Sequence, residues 1–264
     1  APLQLAEGEM ITVQQRTLEL GVPISGALRA VDSAMIKARV AGEIQSLTLR
    51  EGDSVRAGQV VARIDPTEAQ ARLRQAQQQA DAAKAQVDIN QRQLDNNKAL
   101  VDQGFISATA LVNSQASLQA AQATYQAARA AADVARKALD DTVLRSPISG
   151  QVAQRLAQPG ERVGVDGRVL EVVDPSRLEL EALLSPADSL PVRVGQKARL
   201  QLEGSSQDVT ATVVRINPSA QGGSRTVPVY LRVDTASASQ LRQGMFVQGL
   251  LSTGQTQVLA VELD

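Results

Sequence analysis

The sequence contains neither cysteine nor histidine among its 264 residues. Without cysteine, disulfides and thiolate metal sites are excluded, although the cellular compartment stays open because extracytoplasmic proteins can also lack cysteine. Without histidine, the chain lacks the commonest transition-metal ligand and the commonest general base near neutral pH. A Ser-His-Asp hydrolase triad is therefore impossible, and three methionines isolated in the sequence argue against a soft-metal site.

Aromatic residues make up only 2% of the chain, and tryptophan is absent. Because a compact core of this size normally relies on large aromatic side chains, their scarcity favours thin, elongated modules. The net charge of −1 provides no basic field for nucleic acid or for an anionic membrane surface. No stretch approaches the roughly 20 apolar residues that cross a bilayer. We predict a protein that has no catalytic residues, no bound metal and no cofactor, and that is not an enzyme.

Residues 66–142 are rich in alanine and glutamine and contain no proline after Pro66. Asp65 is placed to cap a first helix, and Ser107 to cap a second. Small and apolar residues recur at spacings of three and four in both, at Ala69, Leu73, Ala76, Ala80, Ala83, Val87, Asn90, Leu94, Asn97 and Val101, then at Leu111, Ser114, Leu118, Ala121, Tyr125, Ala128, Ala132, Ala135, Leu139 and Thr142. This heptad pattern predicts an antiparallel coiled-coil hairpin of two helices joined by a short linker.

Two similar segments flank the helical region. VAGEIQSLTLREGDSV at 40–55 returns, altered, as ISGQVAQRLAQPGERV at 148–163. Each copy predicts about three or four short strands with glycine turns, which are too few to bury a core alone. Together they predict one small β-sandwich, formed by residues 38–65 plus 143–174 and split by the hairpin at 66–142.

After residue 174, strand follows strand with glycine and proline between them. Polar and apolar residues alternate clearly at 197–202 and 227–233. The pattern predicts a small antiparallel β-barrel built from residues 22–37 plus 175–252. Residues 1–21 and 253–264 indicate parts of a further β module. The predicted fold class is thus mixed α and β, elongated and multi-domain.

The order of these parts resembles the periplasmic adaptors, or membrane fusion proteins, of the HlyD-like family in tripartite efflux systems. The segments that carry the resemblance are VAGEIQSLTLREGDSVRAGQVVARIDP at 40–66, LRSPISGQVAQRLAQPGERV at 144–163 and LRQGMFV at 241–247. The resemblance implies a lipoyl-like fold for the split sandwich and a membrane-proximal β domain for the remnants at 1–21 and 253–264. It also implies a place in the periplasm of a Gram-negative bacterium, attached to the inner membrane through a segment outside this sequence.

The resemblance further implies partners and a contact site. Such adaptors link an inner-membrane transporter, here expected to be of RND type, to a TolC-type outer-membrane channel that exports drugs or metal ions. They assemble with copies of themselves as trimers or hexamers. The family's tip motif is an arginine, a leucine four residues later and a serine seven after that. We predict channel contact at the matching and neighbouring positions, which are Asn96, Leu100, Gly104, Phe105 and Ser107.

Four of these positions have more than one interpretation. Asn96 stands where the family has arginine, which puts the usual tip contact in doubt or indicates a channel with a different surface. Phe105 fits either a contact with a partner or a staple that closes the hairpin. Without any contact to a partner, Leu100 would serve only to close the hairpin, and Ser107 would serve only to cap its helix.

Asp-Pro dipeptides mark two junctions between the predicted modules. Asp65-Pro66 joins the first sandwich half to the hairpin, and Asp174-Pro175 follows the second half. Because few strands are expected to cross between modules at these points, we predict hinges at Asp65, Pro66, Asp174 and Pro175.

Three alternatives stay beside this interpretation. The same architecture serves ABC- and MFS-type exporters, and the sequence does not separate them well from the RND class. A coiled-coil scaffold without a transport role would also show these modules. A lipoyl carrier domain needs a lysine between its two halves, and this chain has Ile64, Asp65 and Pro66 there. The chain begins at Ala1 and not at methionine, which predicts a mature or trimmed form.

Overall fold

The computed structural model describes residues 13–204, 208–220, 223, 225–234 and 241–261. It divides into two compact units, of which one comprises Ala34–Val172 and the other the residues on either side. We call the first the sandwich-hairpin unit and the second the barrel unit. Residues 1–12 and 262–264, which the sequence assigns to remnants of a membrane-proximal domain, lie outside the described residues.

The elements alternate between short strands and two long helices. The strands are β1 (Val13–Ala30), β2 (Ser33–Lys37), β3 (Gly42–Ser46), β4 (Ser54–Val55), β5 (Val60–Ile64), β6 (Val143–Arg145), β7 (Gly150–Arg155), β8 (Arg162–Val163), β9 (Arg168–Val173), β10 (Leu178–Leu184), β11 (Lys197–Leu202), β12 (Asp208–Ile216), β13 (Val227–Val233) and β14 (Phe246–Val261). The helices are α1 (Thr67–Asp102), α2 (Ala108–Asp140) and the short α3 (Pro186–Ser189).

The sandwich consists of two four-stranded sheets, in the orders β2-β9-β7-β4 and β6-β5-β3-β8. Each sheet combines two strands that precede the hairpin with two that follow it. The register shows directly that strands before the hairpin pair with strands after it, since Gly42 in β3 pairs with Val163 in β8, and Val55 in β4 pairs with Gly150 in β7. Aliphatic side chains fill the space between the sheets, among them Ile44, Ile64, Leu144, Val169, Leu170 and Val172. The two sequence copies therefore share one core, as the repeat predicts.

The two long helices pack against each other along the predicted seam. Every one of the heptad positions named from the sequence is buried or partly buried, whereas nearly all positions between them are exposed. The helices are antiparallel, because Asn97 Nδ2 donates to Ser114 Oγ and Asn90 Nδ2 donates to the Ser117 carbonyl at 3.2 Å. Ala76 and Ala80 are buried in the half of the seam nearer the sandwich, where small side chains let the helices approach closely. The coiled-coil hairpin is thus confirmed.

The barrel unit is a closed six-stranded barrel in the order β1-β10-β13-β12-β11-β14. Its interior is aliphatic, with fully buried side chains that include Leu28, Leu178, Leu180, Leu200, Leu231 and Leu251. β1 and β14 pair continuously from Ala27 opposite Phe246 to Val13 opposite Val261, with a register shift at Leu20 and Gly21. The described residues of the predicted remnants therefore continue the same two strands. The mixed fold, a hairpin inserted in a split sandwich and followed by a barrel, is the one predicted.

One boundary differs from the sequence interpretation. Residues 22–37 are predicted to belong to the barrel, but β2 lies in a sandwich sheet beside β9. Ile36 is buried in the sandwich core, and the Ala38 amide donates to the Gly167 carbonyl at 2.8 Å. Only β1 from this segment enters the barrel, because the chain bends at Val31 and Asp32 after β1 ends.

Candidate partner-binding tip of the hairpin

The tip of the hairpin begins with a tightly closed helix end. Gly104 has φ +78°, a left-handed conformation that costs little only for glycine. Its amide donates to the Val101 carbonyl at 2.9 Å, and the Phe105 amide donates to the Leu100 carbonyl at 2.9 Å. These two bonds form a Schellman motif, which satisfies carbonyl groups that the end of α1 leaves unpaired. Gly104 therefore lies in the turn, as predicted, for a conformational reason.

The tip exposes apolar side chains. Phe105 is 74% exposed, and Leu100, whose carbonyl accepts the Phe105 amide, is 39% exposed. Val112, on the first turns of α2, is 63% exposed and lies outside the heptad seam. Sequence reasoning missed Val112, although an apolar residue off the seam was the available signal. Such a group of solvent-facing apolar side chains is typical of an interaction surface.

Ser107 and Asn96 add polar groups near this apolar surface. Ser107 occupies the N-cap position of α2, and its carbonyl accepts the Ala110 amide at 3.0 Å, but its hydroxyl makes no capping hydrogen bond. The predicted capping role therefore holds for the position and not for the side chain. Asn96 is exposed on α1, one turn before Leu100. Within the described part of the chain, neither side chain forms a hydrogen bond that would occupy it.

At the first predicted hinge, the Asp65 side chain accepts hydrogen bonds both from the sandwich and from the start of α1. Asp65 Oδ1 accepts hydrogen bonds from the Thr67 amide at 3.1 Å, from Thr67 Oγ1 at 2.7 Å and from Gln45 Nε2 at 3.1 Å. The bonds from Thr67 hold the pKa of Asp65 below its ordinary value. α1 begins at Thr67, and Pro66 precedes it as its N-cap, one residue later than the sequence predicts. Asp65 thus ties the start of the helix to β3.

The second predicted hinge repeats this arrangement. Asp174 Oδ1 accepts from the Ser176 amide at 3.0 Å and from Ser176 Oγ at 2.7 Å, and these bonds lower the pKa of Asp174. A third copy, not recognised in the sequence, occurs at Asn217-Pro218-Ser219, where Asn217 Oδ1 accepts from the Ser219 amide and hydroxyl, each at 3.1 Å. The common signal is an Asp or Asn followed by Pro and then Ser or Thr, a local turn in which a short side chain bonds the backbone two residues on.

The base of the hairpin is fixed by an ionic contact. Asp141 bonds Lys137 Nζ at 2.5 Å and Arg39 Nη1 at 3.4 Å. Burial raises the pKa of Asp141, but the bonds and charges of these two cations outweigh burial and hold it below its ordinary value. The acidic pair at 140–141 is therefore part of a structural contact at the end of α2.

Neither a metal site nor a membrane-crossing helix was found in the part of the chain that the structure describes. No three Asp or Glu side chains there come close enough to hold a metal ion. None of the helices there combines the length and the hydropathy that a bilayer requires.

Comparison with known families matches both units. Residues 32–165, just over half of the chain, match the family described as "RND MFP, barrel-sandwich hybrid domain". Residues 180–255 match the family described as "CusB-like, beta-barrel domain". The chain belongs to the membrane fusion protein family. Members of this family are adaptors of efflux systems and not enzymes, so the membrane fusion protein described here is a non-enzymatic adaptor.

Individual relatives cover most of this membrane fusion protein. It is 28% identical over 251 residues to nodulation protein NolF of Rhizobium meliloti (strain 1021), a match that covers 94% of this chain and 68% of NolF. It is 26% identical over 234 residues to macrolide export protein MacA of Yersinia pestis, covering 79% of this chain and 63% of MacA. The chain thus spans about two thirds of the length of these curated relatives.

Solved structures show the same fold. The crystal structure of MacA from Actinobacillus actinomycetemcomitans aligns with a TM-score of 0.73 at 22% identity, covering 94% of this chain and 83% of that one. At this level of identity the likeness establishes the architecture, and the chemistry of the tip has to be argued from the residues of this chain.

Proposed function

We propose that this membrane fusion protein is the periplasmic adaptor of a tripartite RND-type efflux pump. It would connect an inner-membrane transporter to a TolC-type outer-membrane channel for the export of drugs or metal ions. The observation that carries this proposal is the tip of the hairpin, where an exposed phenylalanine adjoins a serine hydroxyl with no partner of its own. The match to the RND membrane fusion family supports the transporter class over the ABC and MFS alternatives.

The exposed apolar surface supplies the affinity for the channel. Phe105 is 74% exposed, and fully burying a phenylalanine side chain stabilises a complex by about 1.5–3 kcal/mol. Leu100 and Val112 add partly exposed aliphatic area on either side of the linker. A single tip of this size binds weakly. Assembly of the adaptor as a trimer or hexamer would present several tips at once and raise the apparent affinity through avidity.

The polar groups supply specificity. Ser107 and Asn96 are exposed and can form hydrogen bonds with the channel. A channel that buries these two side chains without providing a hydrogen-bond partner would lose binding free energy. Asn96 is shorter than the arginine of the family motif and carries no charge. The channel that fits this tip therefore needs a hydrogen-bonding group opposite Asn96, and a carboxylate there would lack the bidentate ion pair that an arginine provides.

The Asp-Pro joints are proposed to act as the hinges of the adaptor, in the periplasm and with attachment to the inner membrane. Asp65 is bonded on both sides of its junction, to Gln45 and Thr67, so that movement of the hairpin there requires these bonds to exchange. Asp174 is bonded to Ser176 in the same way, before Pro175 leads into β10. Each joint is a fixed turn with bonds that water can replace, which suits a small change of angle.

Single-cysteine trapping tests the tip contact, since the chain contains no cysteine of its own. Ser107→Cys, in the full protein in its native host, is expected to form a disulfide with cysteines placed on the tips of the outer-membrane channel. Ala130→Cys is the matched control, because it is also exposed on α2 but lies about 35 Å along the helix from Ser107. Adducts would be detected by immunoblot under non-reducing conditions and identified by mass spectrometry.

The outcomes separate the candidate functions. An adduct with an outer-membrane channel from Ser107→Cys but not from Ala130→Cys supports the adaptor role. If both positions stay untrapped while a barrel cysteine captures a transporter, the protein is an adaptor whose tip contact is elsewhere, and the captured transporter shows its class. If no position captures a membrane protein, both the tip contact and the pump partners proposed here are wrong.

The apolar part of the contact has its own test. Phe105→Ser is expected to abolish efflux-dependent resistance, whereas Val134→Ser, which changes a side chain that is 71% exposed on α2 away from the tip, is expected to leave it intact. Equal resistance in both variants would show that Phe105 only closes the hairpin.

A further inference from the structure

The outer face of the barrel carries a second candidate site, independent of the hairpin tip. A cavity of about 870 Å³ lies over β1, β14 and β11. The cross-strand register places Pro23, Leu250 and Arg199 side by side in one row across these three strands. Leu20 and Lys197 line the same cavity. Apolar and cationic side chains therefore meet on one concave face of the sheet.

The apolar part of this face is open to solvent. Leu250 is 57% exposed and Leu20 is 47% exposed. Leu250 leans over Gly21, where an added Cβ would lie 3.3 Å from Leu250 Cδ2. The missing side chain at Gly21 thus lets Leu250 lie along the sheet and leaves a hollow beside it. Two exposed leucines that line one hollow together form an apolar surface, which favours an apolar ligand.

The cationic part of this face has no ion-pair partner among the residues that the structure describes. Lys197 and Arg199 point to the same side of β11, because they are two residues apart on a strand, and both are exposed. Within the described residues neither forms an ion pair. The carboxylate of Asp208, on the adjacent strand, accepts a hydrogen bond from Gln201 at 3.3 Å. One carboxylate, Glu19, also lines the cavity, so its charged lining is two cations and one anion.

We propose that this face binds a single anionic amphiphile with a hydrocarbon chain, of the fatty-acid type. The acid group lies between Lys197 and Arg199, and the chain crosses Leu250 and Pro23 towards Leu20. Glu19 disfavours the acid group at its own end of the cavity and so sets the direction of the ligand. A concave hollow suits one chain, whereas a flat bilayer would contact mainly its rim. Charge complementarity favours an acid over a neutral lipid, and the exposed leucines favour a chain over a small inorganic anion.

The test is a fluorescence titration with dansyl-labelled undecanoic acid, at concentrations below those at which the probe forms micelles. Because the chain has no tryptophan, the dansyl emission can be followed directly without energy transfer from that residue. The wild-type protein is expected to bind the probe with saturation at one site. The double variant Lys197→Gln, Arg199→Gln is expected to bind about tenfold more weakly, as is Leu250→Ser. All three positions are exposed, so the barrel should stay folded, which circular dichroism would check.

Matched controls identify which part of the ligand is recognised. Lys37→Gln removes one exposed lysine from the sandwich-hairpin unit and is expected to leave the affinity unchanged. The methyl ester of the probe, which lacks the anion, is expected to bind the wild type about tenfold more weakly than the acid. Equal affinity for ester and acid, or equal affinity in the wild type and the double variant, would overturn the proposal.

Vesicles distinguish a single ligand from a membrane. If the protein sediments with vesicles that contain phosphatidylglycerol but does not bind the monomeric probe, the face is a membrane-binding surface and the proposal is wrong. Saturable binding of the monomeric acid, lost in the double variant, would establish a ligand site on the barrel that acts separately from the hairpin tip.

Discussion

A side chain at Gly249 would collide with the backbone of the neighbouring barrel strand, so replacement of Gly249 by alanine should open the barrel at that point. A Cβ at Gly249 would lie 2.0 Å from the Arg199 carbonyl oxygen and 2.8 Å from Leu200 Cα. Both are backbone atoms of β11, so no side chain can rotate away. To reach even 3.0 Å, the two strands must separate by about 1 Å, which takes neighbouring ladder hydrogen bonds out of range.

The expected magnitude follows from the bonds that are lost. Two backbone hydrogen bonds at about 1 kcal/mol each, together with the strain of overpacking, give a destabilisation of about 3 kcal/mol for Gly249→Ala. Gly254 provides the control on the same strand, because nothing lies within 4 Å of a Cβ built there. Gly254→Ala is therefore expected to be neutral, or stabilising by about 0.5 kcal/mol.

Amide hydrogen exchange followed by mass spectrometry measures this effect locally. Peptides from β11 and β14 in Gly249→Ala should exchange about a hundredfold faster than in the wild type, which corresponds to about 3 kcal/mol. Peptides from the sandwich serve as the internal reference. Unchanged protection of β11 and β14 in Gly249→Ala, or equal loss in Gly254→Ala, would refute the claim that backbone proximity requires glycine at position 249.

Three further predictions concern the hairpin and the second joint. Gly104→Ala should destabilise the hairpin by about 1 kcal/mol because of its positive φ, and Gly104→Asn by less; thermal melts followed by circular dichroism would show it, and equal melting of wild type and Gly104→Ala would contradict it. Leu118→Ala, in the seam, should cost about 2–3 kcal/mol, whereas Val134→Ala, off the seam, should change stability by less than about 0.5 kcal/mol; equal losses in urea unfolding would argue against the seam. The hydrogen bonds from Ser176 lower the pKa of Asp174 in the folded state. The contribution of the Asp174 carboxylate to stability is therefore complete above its ordinary pKa of 3.8 and is lost as the pH falls through its pKa in the folded state. The stability difference between wild type and Asp174→Asn should shrink in acid, and a difference independent of pH would exclude this linkage.

The coiled-coil hairpin could be predicted from the sequence in detail because its burial pattern depends on spacing alone. A residue at every third or fourth position faces the partner helix whatever the rest of the fold does. The polar seam positions Asn90 and Asn97 also fit, since each bonds a group on the opposite helix. Positions such as Ala76 and Ala132 were identified by spacing, although alanine is not by itself a signal of burial.

The assignment of β2 to the barrel was wrong because a short strand does not specify its sheet. Five residues with one buried position fit either module. The sheet of β2 is decided by its pairing with β9 and by the hydrogen bond from the Ala38 amide to the Gly167 carbonyl, and both partners are more than a hundred residues away in sequence. The pairing of residues 13–20 of β1 with β14 was not predicted for the same reason, since a strand that is remote in sequence determines it.

The chemistry at the tip could be predicted only in part. A glycine in the linker and an apolar residue after it indicate a closed helix end, and Gly104 and Phe105 form one. The hydroxyl of Ser107 shows the limit, because serine is a frequent N-cap residue but its side-chain rotamer depends on the local backbone.

The exchange of strands between the two halves of the sandwich has a consequence for the order of folding. Neither sheet can form from the residues before the hairpin, because each needs two strands from beyond it. During synthesis, the first half has to wait until β9 has emerged. The hairpin joins two helices that are consecutive in the sequence, and its contacts near the linker, such as that of Asn97 with Ser114, are close in sequence. It can therefore begin to form earlier, since local contacts form faster than distant ones.

A hairpin that forms early would also bring the two halves of the sandwich close together. A flexible connection from residue 66 to residue 142 would carry a loop-closure cost of about 4 kcal/mol. Two antiparallel helices instead bring β5 and β6 together, where Ala62 pairs with Leu144. The long insertion is thus expected to start the assembly of the sandwich at its base, where β5 and β6 meet. A variant whose helices fray near Thr67 and Asp140 would be slow to assemble the sandwich, even where its final structure is unchanged.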